Sequence, residues 1–330
     1  NALALLIALS PDHQDILYYF KKHDLPPLRL SRLTLVKTQV SEDFFLKFIT
    51  SDKPEDVSYG LIQLADTGTL HSLQSVVQKL LDVDENVKEM AWKTINKIVN
   101  RAYDQHQLKT KIGAIKSRTE AVNTVLSELL LTQFERPMNY NAMLVYLGYL
   151  SEVIPAHFPI EKLTVLSDSK NPHVIKFYLS YLGKTNDLST IKQLKNYLHL
   201  GQDIYTLRQA VLALTEMEAS AVQHLIIPLL AHPNMNIKKT VAAYLLKHGT
   251  FTAIPAMFEL FIKHDNTGLR SSLEQGLKNI LGTSYHFFLL NAYVLCKTAS
   301  QKAAIAAIIG NDTTSLAFEK HCIDFPELKT

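Results

Sequence analysis

The residues that could do chemistry are few and dispersed. His321 and Cys322 form the only close His and Cys pair, the combination that nucleophilic catalysis or metal binding would need. Adjacent residues on a helix point in different directions, so these two cannot address one centre, and a structural role is expected. Paired carboxylates occur at Glu42-Asp43 and Asp84-Glu85, but both pairs open helical stretches, where the helix macrodipole accounts for acidic residues. The 330 residues contain no GxSxG, GxGxxG, P-loop, HExxH or CxxC pattern, and the 13 His are scattered singly. No catalytic residue, metal site or cofactor is expected, and the chain reads as a non-enzyme.

Charge is distributed unevenly. Between residues 88 and 118, Lys88, Lys93, Lys97, Arg101, Lys109, Lys111, Lys116 and Arg118 face only Glu89 and Asp104, a net of +6 in a chain whose total is +3. Lys93, Lys97 and Arg101 recur every four residues and would form a helical stripe, with Lys109, Lys111, Lys116 and Arg118 alongside. Such a patch suits nucleic-acid phosphates or an anionic membrane surface. A solvated helix face is the plainer reading of the same residues.

The elements that must carry these groups are helices. In AHPNMNIKKTVAAYLLKHG, Ile237, Val241, Tyr244 and Leu245 share one helical face. Asn234 or Asn236 can cap the start, and Gly249 is expected to provide a left-handed stop. The pattern recurs with anchors at Val57, Val87, Val174, Leu207, Ile237 and Leu269. Val57 and Val87 are 30 residues apart, and the steps from Val174 onward are 33, 30 and 32. A basic residue follows the anchor at Lys88, Arg208, Lys238 and Arg270. Shorter helices complete the pairs, with Ser41, Thr69, Asp187 and Thr250 as caps, and Pro228 and Pro255 are expected to bend two of them. A period near 30 with two helices per step marks a helical repeat array.

These anchor-plus-basic pairs resemble the start of the second helix in HEAT repeats, over roughly residues 41 to 310. The resemblance implies an all-α fold, an α-solenoid of stacked antiparallel helix hairpins winding as a HEAT/armadillo-like superhelix. The turn Asp of that family has candidates in Asp84, Asp203 and Asp265 at uneven offsets, so no regular Asp–Arg ladder is expected. One irregular unit is expected at about 104–137, because Val87 and the next anchor, Tyr140, are 53 residues apart. Residues 1–330 read as a single solenoid and as a piece of a longer protein, with neither terminus carrying a polar cap.

DNA-alkylation-repair glycosylases are also built from HEAT-like repeats, but such a protein should carry a stronger positive balance than +3. Residues 287–329 are similar to HEAT regions joined to bacterial transporters of the ADP/ATP-carrier and major-facilitator type, which implies a cytoplasmic regulatory domain. The longest apolar runs, ALALLIAL and AMLVYLGYL, fall short of the roughly 20 residues that span a bilayer. Two Cys without pattern suit the cytoplasm, either free or tethered to the cytoplasmic face of a membrane through flanking sequence.

The expected function is therefore a non-catalytic scaffold that binds a protein or peptide partner on its concave face. The alternatives are a transporter's regulatory domain and a nucleic-acid-binding protein using residues 88–118. Tyr59, Trp92, Tyr146 and Tyr149 are the expected partner anchors, since aromatic side chains with polar tips dominate interfaces. For the last two, a helical wheel places Tyr140, Leu144 and Leu147 on the buried stripe and Tyr146 and Tyr149 away from it.

Overall fold

The computed structural model describes residues 41–105, 107–108, 117–185, 187–217 and 222–311, and among these every regular element is helical. The chain divides into two compact units, Asn1–Leu166 and Ser167–Thr330. The first contains α1 (Glu42–Ile49), α2 (Pro54–Thr67), α3 (Leu73–Gln78), α4 (Glu85–Asp104), α5 (Arg118–Phe134), α6 (Tyr140–Val153) and α7 (Ile160–Leu163). The second contains α8 (Pro172–Thr185), α9 (Ile191–Lys195), α10 (Ile204–Glu216), α11 (Gln223–Ile226), α12 (Met235–His248), α13 (Ile254–Lys263), α14 (Thr267–Leu281), α15 (Tyr285–Leu295) and α16 (Ala299–Asn311).

The second helices α4, α10, α12 and α14 each start at a side chain that accepts otherwise orphaned N–H groups, whereas α2 opens on Pro54 with no side-chain cap. Asp84 accepts from Asn86, Asp203 from Thr206, Asn234 from Asn236 and Ile237, and Asn266 from Leu269. Asn266 is thus the cap of α14. A second acceptor two residues earlier takes the N–H of the cap itself. It is Asp82 for Asp84, Ser169 for Asn171, His232 for Asn234 and His264 for Asn266. Because a backbone N–H can only donate, both histidines accept at Nδ1 and carry their proton on Nε2.

Burial follows the anchors. Val57, Val87, Val174, Leu207, Ile237 and Leu269 are all at most 2% exposed. In the second unit α8 packs on α10, α10 on α12 and α12 on α14, so the second helices form a continuous ladder. Close approach is permitted by small residues. A Cβ at Gly183 would lie 2.7 Å from the carbonyl oxygen of Ala213, on the facing helix.

The first segments are less regular than the periodicity suggests. Three are short α-helices that tighten into 3₁₀ turns: α3 into Lys79–Leu81, α7 into Thr164–Leu166 and α11 into Ile227–Ala231. Pro228 and Pro255 do not sit within the interior of a helix; each lies at the first positions of its own element, where proline's missing N–H costs nothing. Ser41 caps α1 as expected, and Thr69 and Asp187 close turns ahead of α3 and α9. Thr250 instead gives its N–H and hydroxyl to Oε1 of buried Gln223, tying this turn to α11.

Gly249 is not a left-handed stop, for its backbone is extended at φ −62°, ψ 141°. Glycine is needed there because a Cβ would collide with the carbonyl oxygen of Leu245. The left-handed glycine among the described residues is Gly282, at φ 56°.

Two expectations follow from this core. Leu245 is fully buried and Lys239 exposed, so Leu245→Ala should cost about 2–5 kcal/mol in denaturant unfolding, and Lys239→Ala less than about 0.5 kcal/mol. Burial also pushes the phenols of Tyr146, Tyr197 and Tyr244 up to about 12. Above pH 10 the unfolded chain loses these protons while the folded chain keeps them, so stability should fall as pH rises from 10 through 12. A chemical-denaturation series across that range checks it, and a flat profile would contradict it.

Candidate functional site

The expected basic stripe on α4 is largely engaged by protein groups. Lys93 pairs with Glu89 at 2.5 Å, Lys97 with Asp66 at 3.5 Å and Arg118 with Asp104 at 2.8 Å. Arg101 has a different task. Its Nη1 donates to the carbonyl oxygen of Ala65 at 2.7 Å and its Nη2 to that of Gly68, so it covers the carbonyls that α2 leaves unsatisfied at its C-terminus. Lys109, Lys111 and Lys116 lie outside the described residues, as do His321 and Cys322. The described members therefore form neutral pairs plus one structural guanidinium, which leaves little field to attract a polyanion.

Arg101 belongs to a pattern that no local reading of the sequence reveals. Lys247 Nζ donates to the carbonyl oxygen of Thr215 at 3.0 Å, and His248 Nε2 also lies 3.0 Å from it. This agrees with a proton on Nε2. Asn279 Nδ2 donates to the carbonyl oxygen of Leu246 at 3.3 Å. A donor near the end of one second helix thus closes the end of the preceding one. The basic residues at helix ends were the available signal, but their partners lie about 33 residues earlier.

The carboxylate pairs are structural too. Glu42 accepts the N–H and hydroxyl of Thr69, both at 2.8 Å. Burial raises its pKa, but hydrogen bonds from Ser72 and Thr69 outweigh that and hold it below the usual value. Asp84 is the cap of α4, and Glu85 pairs with Lys88 at 2.6 Å. Among the described residues no group of His, Cys, Asp and Glu could hold a metal ion.

The four expected partner anchors separate. Tyr59 is 3% exposed and packs edge-on against Phe48, with ring centroids 5.1 Å apart. Tyr146 is 2% exposed, on the buried face that α6 makes with Ala142, Leu150 and Val153. Both belong to the core and cannot present an anchor. The wheel failed at α6 because that helix is apolar nearly all round, so sequence alone does not select the face; Tyr140, assigned to the stripe, is 48% exposed.

Trp92 and Tyr149 remain at the surface. Both are half-buried, and their rings meet across α4 and α6 at 4.7 Å between centroids and 38° between planes. Burial pushes the Tyr149 phenol up, opposed by the neighbouring Lys88 cation. One and two turns along α4 from Trp92 lie Asn96 and Asn100, also half-buried. Each donates through Nδ2 to the carbonyl four residues back, Asn96 to Trp92 and Asn100 to Asn96. Neither Oδ1 accepts a hydrogen bond among the described residues. The result is a row on α4 with an aromatic platform at one end and two oriented amide oxygens.

Capped second helices laid one upon the next, with short first segments, define an α-solenoid of the HEAT/armadillo kind. No protein-family model matches the chain, and no curated protein matches it. Solved structures similar to it include an engineered protein with 14% identity, covering 83% of this chain and 89% of that one at a TM-score of 0.36. Computationally designed armadillo repeat proteins for modular peptide recognition share 14% identity, covering 73% of this chain and 100% of theirs at a TM-score of 0.30. The complex of CpcE and CpcF of phycocyanin lyase from Nostoc shares 13% identity, covering 88% of this chain and 95% of that one at 0.28. Likeness this loose carries no argument about activity or partner. Among the described residues, no helix is long and apolar enough to cross a membrane.

The role of Arg101 is directly testable. Arg101→Ala should destabilise the protein by about 1.5–3 kcal/mol, as expected for loss of charge-assisted hydrogen bonds, while Lys93→Ala and Lys97→Ala should each change it by less than about 1 kcal/mol. Thermal unfolding of the three variants compares them, and equal effects would contradict the capping role.

Proposed function

We propose that the chain is a non-catalytic scaffold of the cytoplasm that takes an extended segment of a partner protein along α4. The supporting observation is the row of Trp92, Asn96 and Asn100, with Tyr149 packed on Trp92. Four residues of helix rise about 6 Å, close to the roughly 6.6 Å that two residues of extended chain span. Asn96 and Asn100 can therefore accept alternate backbone N–H groups of one extended segment. The segment's direction is set by backbone bonds, and its sequence preference by what packs on the aromatic pair.

The two amides are already fixed by their bonds to α4, so little side-chain freedom is lost on binding. Trp92 supplies a hot-spot surface of the type that dominates interfaces. The paired charges around it, Lys88 with Glu85 and Lys93 with Glu89, form a polar rim.

Trp92 is the single Trp of the chain, so its emission reports on this site alone. Peptides selected from a random displayed library should shift or quench that emission. Asn96→Ala combined with Asn100→Ala should weaken them about tenfold or more, and Tyr149→Ala should change which peptides are selected. Selected peptides that leave Trp92 unperturbed and bind the double variant equally would overturn the assignment.

A further inference from the structure

The basic residue that follows the anchor has a hydrogen-bonded or ionic partner in some hairpins and, among the described residues, lacks one in another. Lys88 pairs with Glu85, and Arg208 donates through Nε to Thr240 at 3.3 Å. Arg270 makes no side-chain hydrogen bond or ion pair among the described residues; its guanidinium lies over the Phe261 ring, 5.5 Å from the centroid. It faces a cavity of about 440 Å³ in the second unit. Thr267 and Ser271 line it with Arg270; Phe261 and Ile308 supply apolar wall, and the Glu274–Lys278 pair, 2.8 Å apart, lines the rest.

These groups specify a ligand class. Glu274 is neutralised by Lys278, so among the described residues lining the cavity one positive charge is uncompensated, on a planar fork of five donors. A carboxylate matches that fork with two parallel hydrogen bonds and cancels the charge. A phosphate dianion would overshoot it and face the Glu274 carboxylate. Phe261 and Ile308 are buried behind the cavity, and the half-buried stems of Arg270 and Lys278 offer apolar contact for the carbon stem of the ligand.

We propose that this cavity is a binding site for a carboxylate on a short apolar stem, supplied by the free C-terminus or an acidic side chain of a peptide. The site is built on α13, α14 and α16, and it stands independently of the row on α4.

The test follows the Arg Nε–H resonances of the intact chain by heteronuclear NMR, with the Arg270 signal identified by its loss in Arg270→Gln. N-acetylvaline presents a chain-terminal carboxylate, N-acetylglutamate α-amide a side-chain carboxylate, and N-acetylvalinamide neither. Saturable movement of the Arg270 signal with either carboxylate, and none with the amide, is expected; the stronger of the two identifies the source. By calorimetry, Arg270→Gln should weaken binding about tenfold or more, with Arg270→Lys intermediate and helicity unchanged in both. Should Arg270→Gln unfold, Ser271→Trp blocks the cavity from an exposed position and should abolish the shift while the guanidinium remains. The proposal is overturned if neither carboxylate moves the signal, if the amide moves it equally, or if methyl phosphate binds more tightly than both carboxylates.

Discussion

An α-helix leaves four carbonyl groups without partners at its C-terminus, and a stack of helices must satisfy them where water is partly excluded. Here the solution crosses from one hairpin to the next. Arg101 reaches the end of α2, Lys247 and His248 the end of α10, and Asn279 the end of α12. Ladder packing brings these donors within reach, and the donors in turn fix how far along its neighbour each helix sits. A hairpin removed from its successor would keep its apolar face but lose the closure of its second helix. Stability in such an array is carried by neighbouring pairs more than by single hairpins.

The two ends of a second helix are consequently handled differently. Its N-terminus is closed locally, by an Asn or Asp cap and an acceptor two residues before it. The caps Asn171, Asp203, Asn234 and Asn266 fall at intervals of 32, 31 and 32 residues, with the preceding Gln202 as the acceptor at Asp203. Its C-terminus is closed from outside. The first segments can degrade into short helices and 3₁₀ turns because neither closure depends on their full length. What they must provide is an apolar cover and a few bridges such as Gln223, whose amide joins His248, Thr250 and Thr252.

This asymmetry explains what the sequence discloses. Anchors such as Ile237 and Leu269 and caps such as Ser41 and Asn234 were legible because they act within one turn of their own position, where 3.6-residue periodicity and capping chemistry operate. The role of Arg101 was not, since the groups it serves lie 33 and 36 residues earlier, and in isolation it resembles any other cation on a basic stripe. Gly249 looked like a left-handed stop because that is the common use of glycine after a helix; its actual constraint is one carbonyl oxygen. At α6 the difficulty was excess: apolar residues all round give no preferred face, so Tyr146 passed for an anchor while it fills the core. Of the candidate site, Trp92 and Tyr149 were visible as aromatics, but Asn96 and Asn100 matter only through their bond to the helix and their place in Trp92's row.

The cross-hairpin closures also limit how such a chain can change length. Deleting one residue within α12 would rotate everything beyond it by about 100°, moving Lys247 and His248 away from Thr215 and Leu246 away from Asn279 at a stroke. Two junctions would fail for one lost codon. Gain or loss of a whole hairpin, about 32 residues, would return each donor to an equivalent acceptor. Length variation in this lineage should therefore come in whole-hairpin steps, or accumulate in connecting segments such as the one between Phe134 and Tyr140.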